Sequence, residues 1–498
     1  ALVQADQRLS FAELDALIDR VAAALHRDGL RAGDRIALCG LSTPLQAVLF
    51  FGGLRVGVVV APLASSVTPA VFASMLRDAD ARLLFVDFTA AALVPDDVAP
   101  RCIALDAGAP GRRFDDWLAP VGSKPQAVQI EPDSPFNIIY SSGTTGTPKG
   151  IVQPHRMRWM HVLRGTPHGY GPDAVALLAT PLYSNTTLVA FFPALALGST
   201  VVLMPRFDAA EYLALTERHR ATHTMLVPVQ YQRIMSLPDF GRHDLSSFRM
   251  KFSTSSPFSA TLKADVLARW PGGLVEFYGM TEGGGTCILE AHRHPDKLHT
   301  VGRPAEGHDI RLIDDEGREA AVGEAGEVVG HSPTMMTGYH NQPQQTREAE
   351  WYAPDGKRFI RTGDIGRFDS DGFLTLIDRK KDVIISGGFN IYSSDLEAQL
   401  REHAAVDEAA VVGVPSTQWG ETPVAFVVPC VGEKISQTAL REWINARVGK
   451  TQRLAEVAFI DELPRNALGK ILKRELRERY IAEQSKPLAR RQDESEVH

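Results

Sequence analysis

The sequence predicts an α/β protein of several domains, and three observations carry that prediction. At 498 residues the chain exceeds what one hydrophobic core can serve, so about two to four domains or subdomains are expected. Short apolar runs alternate with helix-length segments up to about residue 305, a spacing that leaves room for crossover helices between largely parallel strands. The texture then changes twice, near residues 305 and 382.

The elements follow in chain order. Ser10-Phe11-Ala12-Glu13 has the spacing of a capping box, in which each side chain accepts from the other residue's backbone N–H. The helix it opens places Leu14, Leu17, Ile18, Val21 and Leu25 on one face, and Gly29 follows as its C-cap. RIALCG (35–40), LLFVD (83–87), FNIIY (136–140), STVVLM (199–204) and HTMLVPV (223–229) read as buried strands. Residues 186–204 form a stretch of 19 without a charge. Pro193 and Gly198 divide it into a helix-length and a strand-length piece, so it reads as buried helix and strand rather than a membrane span.

After residue 305, HDIRLIDDEG, AGEVVG and GFLTLID are alternating strands between Asp/Gly turns, the pattern of a small β-rich subdomain. From Asp382 a second α/β texture begins: a Ser-capped helix (SSDLEAQLREH), strands DEAAVVGV and TPVAFVV, helix TALREWINARV and strand EVAFID. About 115 residues suffice for an independent domain, and its boundary is expected in the charged run 378–382. The last residues (ARRQDESEVH) read as a frayed tail.

Bulk composition narrows the function classes. With 44% hydrophobic and 23% charged residues the chain is of ordinary globular type. A formal charge of −7 and a pI of ≈ 6.1 leave no basic stripe to neutralise nucleic-acid phosphates. The basic residues near the end alternate with Glu475 and Glu478, as on a solvated helix with i,i+4 pairs. Cys39, Cys102, Cys287 and Cys430 are scattered without a CxxC pair, so a reducing cytoplasm is expected. A signal peptide would need an apolar core where Asp6, Gln7 and Arg8 stand. The first helix starts almost at once, and a short native stretch before Ala1 is expected. The sequence holds no HExxH, no GxSxG and no clustered His/Cys set, which argues against metal-only and serine hydrolysis.

The most informative segment is Tyr140-Ser-Ser-Gly-Thr-Thr-Gly-Thr-Pro-Lys-Gly150, directly after FNIIY. Gly143, Gly146 and Gly150 allow tight turns that gather backbone N–H groups into a concavity. The hydroxyls of Ser141, Ser142, Thr144, Thr145 and Thr147 add donors, and Lys149 adds a positive charge. Such a loop suits a polyphosphate. It is not a Walker A loop, because Pro148 stands where that pattern needs glycine.

SSGTTGTPKG resembles the signature loop of the adenylate-forming superfamily, which includes acyl-CoA synthetases, peptide-synthetase adenylation domains and firefly-type luciferases. Four further segments are similar to that family's motifs, in its order. They are Phe277-Tyr-Gly-Met-Thr-Glu282, Arg361-Thr-Gly-Asp364, the run from Asp378-Arg379 to Gly387-Gly388, and Pro464-Arg-Asn-Ala-Leu-Gly-Lys470. The resemblance implies an N-terminal adenylation domain over residues 1–379, made of two α/β subdomains and a β-rich part at about 305–379. A small mobile α+β C-terminal domain over 380–498 would turn about a hinge at Lys381.

The implied reaction is activation of a carboxylic acid by ATP and Mg²⁺ to an acyl-adenylate, followed by transfer to the thiol of coenzyme A. A carboxylate is a poor electrophile until AMP becomes its leaving group, and its attack on a phosphate brings two anions together, so the site must supply positive charge and donors. By resemblance, residues 141–147 with Lys149 would cradle the phosphates. Thr281 would bind the α-phosphate and Glu282 would hold Mg²⁺, a hard cation usually bound by one or two carboxylates plus phosphate. Tyr278, with Gly279, Met280, Ser255, Ser256 and Pro257, would surround the nucleotide base. Asp364 would accept the two ribose hydroxyls with Arg379 nearby, and Lys470 would bridge carboxylate and α-phosphate. Gly387 and Gly388 would let a pantetheine arm pass, and Trp419 and Arg453 match positions that contact CoA in some relatives.

Tyr183, Ser184, Asn185 and Val227 are the expected acyl pocket. Here the chain departs from the family pattern: Ser184 stands where many acyl-CoA ligases have histidine, and Thr254-Ser255-Ser256-Pro257 replaces a Gly-Gly-Ala-Pro run. No aspartate between 180 and 192 could pair an amino-acid ammonium, so an apolar aliphatic or aromatic acid is expected. Phe191, Phe192, Leu195 and Leu197 are assigned to core rather than to the acid. The alternative function is an adenylation enzyme that loads a carrier-protein thiol; Trp419 and Arg453 lean against it, since a carrier arm needs no adenine site. A luciferase-like oxygenase needs a rare substrate, and an inactive regulator has no reason to keep Lys149, Glu282 and Lys470. The expected partners are the small-molecule acid, ATP and CoA, with no nucleic acid and no membrane span; the resemblance is compatible with a homodimer.

Overall fold

The structure, a computed structural model, describes residues 1–97, 101–140, 148–321, 323–386, 389–430, 432–433, 435–466 and 469–484. The chain divides into two compact units. One comprises Ala1–Arg311, Val329–Thr362 and Asp369–Leu374; the other comprises Leu312–Val328, Gly363–Phe368 and the chain from Thr375.

The first unit is built on two large sheets. A nine-stranded sheet runs in spatial order 303–304, 286–290, 273–279, 250–253, 223–226, 175–178, 200–203, 2–4, 7–9. An eight-stranded sheet runs 338–339, 150–154, 135–140, 59–63, 35–39, 83–86, 102–104, 112–113. The central strands of both are parallel, 273–279 through 2–4 in one and 135–140 through 112–113 in the other, as the uninterrupted apolar runs require for strands covered on both faces, while 286–290 and 150–154 join antiparallel. Helices Phe11–Arg27, Pro44–Arg55 and Asn185–Ala196 contribute to one core that takes residues from both sheets, including Ile36 and Val60 from one and Ala176 and Val201 from the other. Phe191, Phe192 and Leu195 are buried in that core, with Leu197 packed against it.

The first helix forms as its sequence dictates. Ser10 Oγ accepts from the Glu13 backbone N–H at 3.2 Å, while the Glu13 carboxylate accepts from the Ser10 N–H at 2.8 Å. Asp28 is its C-cap, and Gly29, at φ +78°, sits one place beyond.

Three expectations change. The strand expected over 223–229 ends at Leu226, because Pro228, with its φ suited to a first helical turn, opens the helix Pro228–Met235. Pro193 lies inside the helix Asn185–Ala196 rather than dividing the apolar stretch, and the break falls at Gly198, φ +88°. Leu2–Gln4 and Gln7–Leu9 form a hairpin before the first helix, and Leu2–Gln4 adds in parallel to Thr200–Leu203.

In the second unit, strands Val406–Ser416 and Gly420–Pro429 pair antiparallel, flanked by Ile384–Ser386, Phe389–Ile391 and Glu456–Phe459. Alternate residues of Val406–Ser416 enter two cores. Ala409 and Val411 meet Leu396, Leu400, Leu440 and Ile444; Ala410, Val412 and Val414 meet Leu463 and Leu476. Both faces of the sheet are therefore covered, which explains the unbroken apolar run.

The helix Ser393–Arg401 corrects the expected serine cap: its N-cap is Tyr392, with no side-chain cap bond. The Ser393 hydroxyl instead donates to the Asp378 carboxylate at 2.8 Å and accepts from Lys473 Nζ at 2.6 Å. Charged partners outcompete a backbone N–H for that hydroxyl. Among the described residues no helix is long and apolar enough to cross a membrane.

Candidate active site

The segments singled out in the first unit begin where strands end. Tyr183, Ser184 and Asn185 follow Val175–Leu178, Val227 follows His223–Leu226, Ser255–Pro257 follow Met250–Ser253, and Thr281 and Glu282 follow Gly273–Gly279. Register aligns three of these ends, with Leu226 opposite Ser253 and Ser253 opposite Glu276. The loops therefore leave the nine-stranded sheet at the carboxyl ends of its parallel strands, where open α/β sheets bind ligands. Residues 141–147, which follow Pro135–Tyr140, lie outside the described residues, as do Gly387 and Gly388.

Glu282 and Lys149 converge on one side chain. Tyr339 donates its hydroxyl to Glu282 Oε1 at 2.9 Å, and Lys149 Nζ stands 4.9 Å from the Tyr339 ring centroid. Burial, and then the Glu282 charge, hold the Tyr339 phenol well above its ordinary range, so it remains a donor. The turn carrying Thr281 and Glu282 is pinned from behind: Met336 N–H donates to the Glu282 carbonyl at 2.8 Å and Ser332 Oγ to the Gly283 carbonyl at 2.7 Å. Gly283 has φ +75°, and a Cβ there would lie 2.1 Å from the Thr334 carbonyl oxygen, so only glycine permits this approach. Tyr278 and Gly279, the last residues of their strand, pair across it with Cys287 and Thr286, and Met280 follows.

The expected acyl-pocket residues have mixed engagements. Ser184 caps the helix Asn185–Ala196, accepting from Thr186 N–H at 3.2 Å. Tyr183 OH and Ser66 Oγ approach to 3.4 Å. Val227 is buried at the start of its helix. Thr186 and Ser255 join their hydroxyls, tying the loop after Met250–Ser253 to that helix. Ser255 holds φ +84°, a left-handed conformation that favours glycine, in keeping with the glycine that relatives are expected to carry there. Ser256 is half-buried and Pro257 exposed beside it.

In the second unit, Asp364 and Arg379 form an ion pair, Nε to Oδ1 3.0 Å. Lys470 belongs to the same electrostatic cluster. Burial pushes its ammonium down to about 8, Arg379 and Lys381 push the same way, and Asp364 and Asp382 oppose them. Lys470 thus stands half-buried in the field of two cations and two carboxylates. Trp419 is 51% exposed and so is not a core tryptophan; Arg453 is exposed as well.

Three residues near this machinery escaped sequence reasoning. Tyr339 sits in an unremarkable TGYHNQP segment. Gln153 is a single polar residue in an otherwise apolar run, GIVQP, whereas Arg158 stands among other basic residues in HRMRWMHVLR (155–164) and gives no such signal. The only signal available was the isolation of Gln153.

Chemically, the first unit offers a lysine and a carboxylate gathered on one tyrosine. Glu282 supplies one hard oxygen donor group, and among the described residues no cluster of three or more metal-type side chains exists. That donor set fits Mg²⁺ shared with phosphate oxygens and does not fit an all-protein cage.

The comparisons agree with this chemistry. The family model described as AMP-binding enzyme matches residues 1–340, and that of the AMP-binding enzyme C-terminal domain matches residues 395–470. A feruloyl-CoA synthase from Amycolatopsis sp. is 34% identical over 477 residues, covering 95% of this chain and 94% of that protein. An indoleacetate–CoA ligase from Aromatoleum aromaticum is 34% identical over 489 residues, covering 95% and 93%. The crystal structure of ATP-bound MatB from Rhodopseudomonas palustris superposes with a TM-score of 0.86 at 29% identity, covering 96% of this chain and 95% of that one.

Proposed function

We infer that this chain, which belongs to the AMP-binding enzyme family, is an AMP-forming acid–CoA ligase. The acid's carboxylate attacks the α-phosphorus of ATP, giving acyl-AMP and pyrophosphate. The CoA thiol then attacks the acyl carbon, AMP leaves, and the thiol proton is released. The observation that carries this reading is the family match over both parts of the chain, joined to full-length similarity with acid–CoA ligases.

The roles of individual residues are our assignment. Lys149 and residues 141–147 receive the β- and γ-phosphates, and Thr281 the α-phosphate. Glu282, oriented by Tyr339, would hold Mg²⁺, which when bound offsets phosphate charge. Asp364 accepts the ribose hydroxyls, and its pairing with Arg379 supports this by fixing the carboxylate. Lys470 bridges the two reacting anions during adenylation and withdraws for thioester formation, when Gly387, Gly388, Trp419 and Arg453 receive CoA. This requires a C-terminal domain over 380–498 that pivots at Lys381.

We assign an aryl carboxylic acid as substrate, on the strength of the feruloyl and indoleacetate relatives. Tyr183, Asn185 and Val227 are the pocket residues, and Ser184 acts by shaping the helix start. A cytoplasmic location is in keeping with four free thiols. Acid-dependent exchange of pyrophosphate into ATP, screened over aryl and alkyl acids, tests the substrate class. A preference for alkyl acids would overturn the aryl assignment.

A further inference from the structure

A buried polar relay connects the phosphate side of the site with the acyl side. Asn137 and Gln153 face each other across the antiparallel strands Pro135–Tyr140 and Gly150–Pro154, and both are fully buried. Arg158, on the following helix, is 2% exposed. Its Nε donates to Asn137 Oδ1 at 3.0 Å and its Nη2 donates to Gln153 Oε1.

The hydrogen-bond inventory of Gln153 is complete. Its Oε1 accepts from Arg158 and from Asn137 Nδ2 at 3.1 Å; its Nε2 donates to the Thr281 carbonyl at 2.7 Å and to Asn185 Oδ1 at 3.4 Å. All four capacities of the amide are used, so a flip would set donor against donor at Arg158 and Asn137 and acceptor against acceptor at Thr281 and Asn185. The orientation of Gln153 is thus dictated by Arg158, which can only donate.

Arg158 itself is anomalous as a structural residue. Its hydrogen-bond partners are neutral amides, Nη1 has no hydrogen-bond partner, the Phe192 ring centroid lies 5.6 Å from Cζ, and among the described residues it forms no ion pair. Burial pushes its guanidinium down to about 9, so at neutral pH it is still a cation. A buried cation without a counter-ion is costly even over an aromatic face, and its place in this network points to a role other than stability.

We propose that Arg158 is a positioning residue for adenylation, acting through Gln153 to fix the Thr281 main chain and to turn Asn185 so that its amide nitrogen is left for the acid. Asn185 Oδ1 is committed to Gln153, and among the described residues Asn185 Nδ2 has no partner. With Asn185 assigned to the acyl pocket, its Nδ2 is the donor offered to the acid, and acids bearing a hydroxyl, methoxyl or keto oxygen at that point are preferred over hydrocarbon analogues of equal size. This rests on the acid–CoA ligase reading and extends it.

The test is acid-dependent pyrophosphate exchange by wild type, Gln153→Leu and Arg158→Met, using pairs of aryl acids that differ only by methoxyl against ethyl. The proposal expects the wild type to favour the oxygen-bearing acid. Gln153→Leu should lose that preference and fall about tenfold in kcat/KM for the oxygen-bearing acid, while thioester formation from supplied acyl-adenylate stays within about twofold. Tm falls, because the buried groups of Arg158, Asn137 and Thr281 lose a partner, and it is the difference between the half-reactions that separates positioning from stability. Arg158→Lys should restore part of what Arg158→Met loses. If Arg158→Met does not fold, Gln153→Leu decides alone. Unchanged preference and exchange in Gln153→Leu, or equal loss in both half-reactions, would overturn the relay. A folded wild type without exchange for any acid would overturn the ligase reading and this inference with it.

Discussion

Tyr339 places its hydroxyl 2.9 Å from Glu282 Oε1 while its ring underlies the Lys149 ammonium. One side chain thus orients the carboxylate assigned to Mg²⁺ and steadies the cation assigned to phosphate. A tyrosine suits both tasks, because its edge donates a hydrogen bond and its face attracts a cation.

Tyr339→Phe keeps the ring and removes the donor. It should raise the Mg²⁺ concentration for half-maximal adenylation by about ten- to a hundredfold, the worth of one hydrogen bond to a charged group, with Lys149 still packed. A Mg²⁺ titration of pyrophosphate exchange measures this, and an unchanged midpoint would remove Tyr339 from the account.

In the proposed adenylation step Lys470 acts as a cation, and burial lowers its pKa. Lys470→Ala should reduce adenylation by at least about 10²-fold through loss of a charge contact made in the transition state. Thioester formation from preformed adenylate should suffer far less. Equal losses in both half-reactions would contradict the assignment of Lys470 to adenylation alone.

The same lysine sets a pH dependence with a definite sign. Its folded value of about 8 lies below the ordinary 10.5, so the cation is progressively lost above pH 8 and adenylation should fall there. Between about 8 and 10.5 the folded chain binds fewer protons than the unfolded chain, so this group's contribution makes stability rise with pH. At neutral pH Lys470→Met removes the cost of a desolvated cation and should raise Tm by about a few degrees. Calorimetry of the inactive variant checks it.

Ser255 combines a left-handed backbone with a hydroxyl bonded to Thr186. Ser255→Ala loses the bond and keeps the strain, whereas Ser255→Gly loses both. The glycine variant should therefore be the more stable of the two by about 1 kcal/mol, read as the difference in their Tm values. The reverse order would show that the loop does not hold that conformation.

Arg453→Ala should raise the apparent KM for CoA several-fold, about the worth of one charge-assisted contact, and leave pyrophosphate exchange unchanged. CoA kinetics that do not move would place the CoA site elsewhere.

Much of the fold was legible in the sequence because its determinants are local. The capping box at Ser10 and Glu13 needs only three residues of context, and buried parallel strands show themselves as apolar runs such as RIALC. The hairpin over residues 2–9 was not legible, since three-residue strands carry no period and owe their pairing to Thr200–Leu203. Ser393 read as a cap because local sequence cannot reveal Asp378 and Lys473, which take its hydroxyl. The motif residues were readable as a linear order, but what orients them was not. Tyr339 reaches Glu282 through cross-strand register with Ile151, and Gln153 meets Thr281 across 128 positions of sequence. Such partners are fixed by topology and leave only a faint trace, a lone polar residue where an apolar one would pack.

The most direct test of the ligase assignment is release of AMP and pyrophosphate from ATP and Mg²⁺ over a panel of benzoates, cinnamates, arylacetates and fatty acids, with and without CoA. The account predicts acid-dependent release that turns over continuously only when CoA is present, with an acyl-CoA product. Acid-dependent release that CoA does not accelerate would contradict CoA as acceptor and move the acyl group to another thiol.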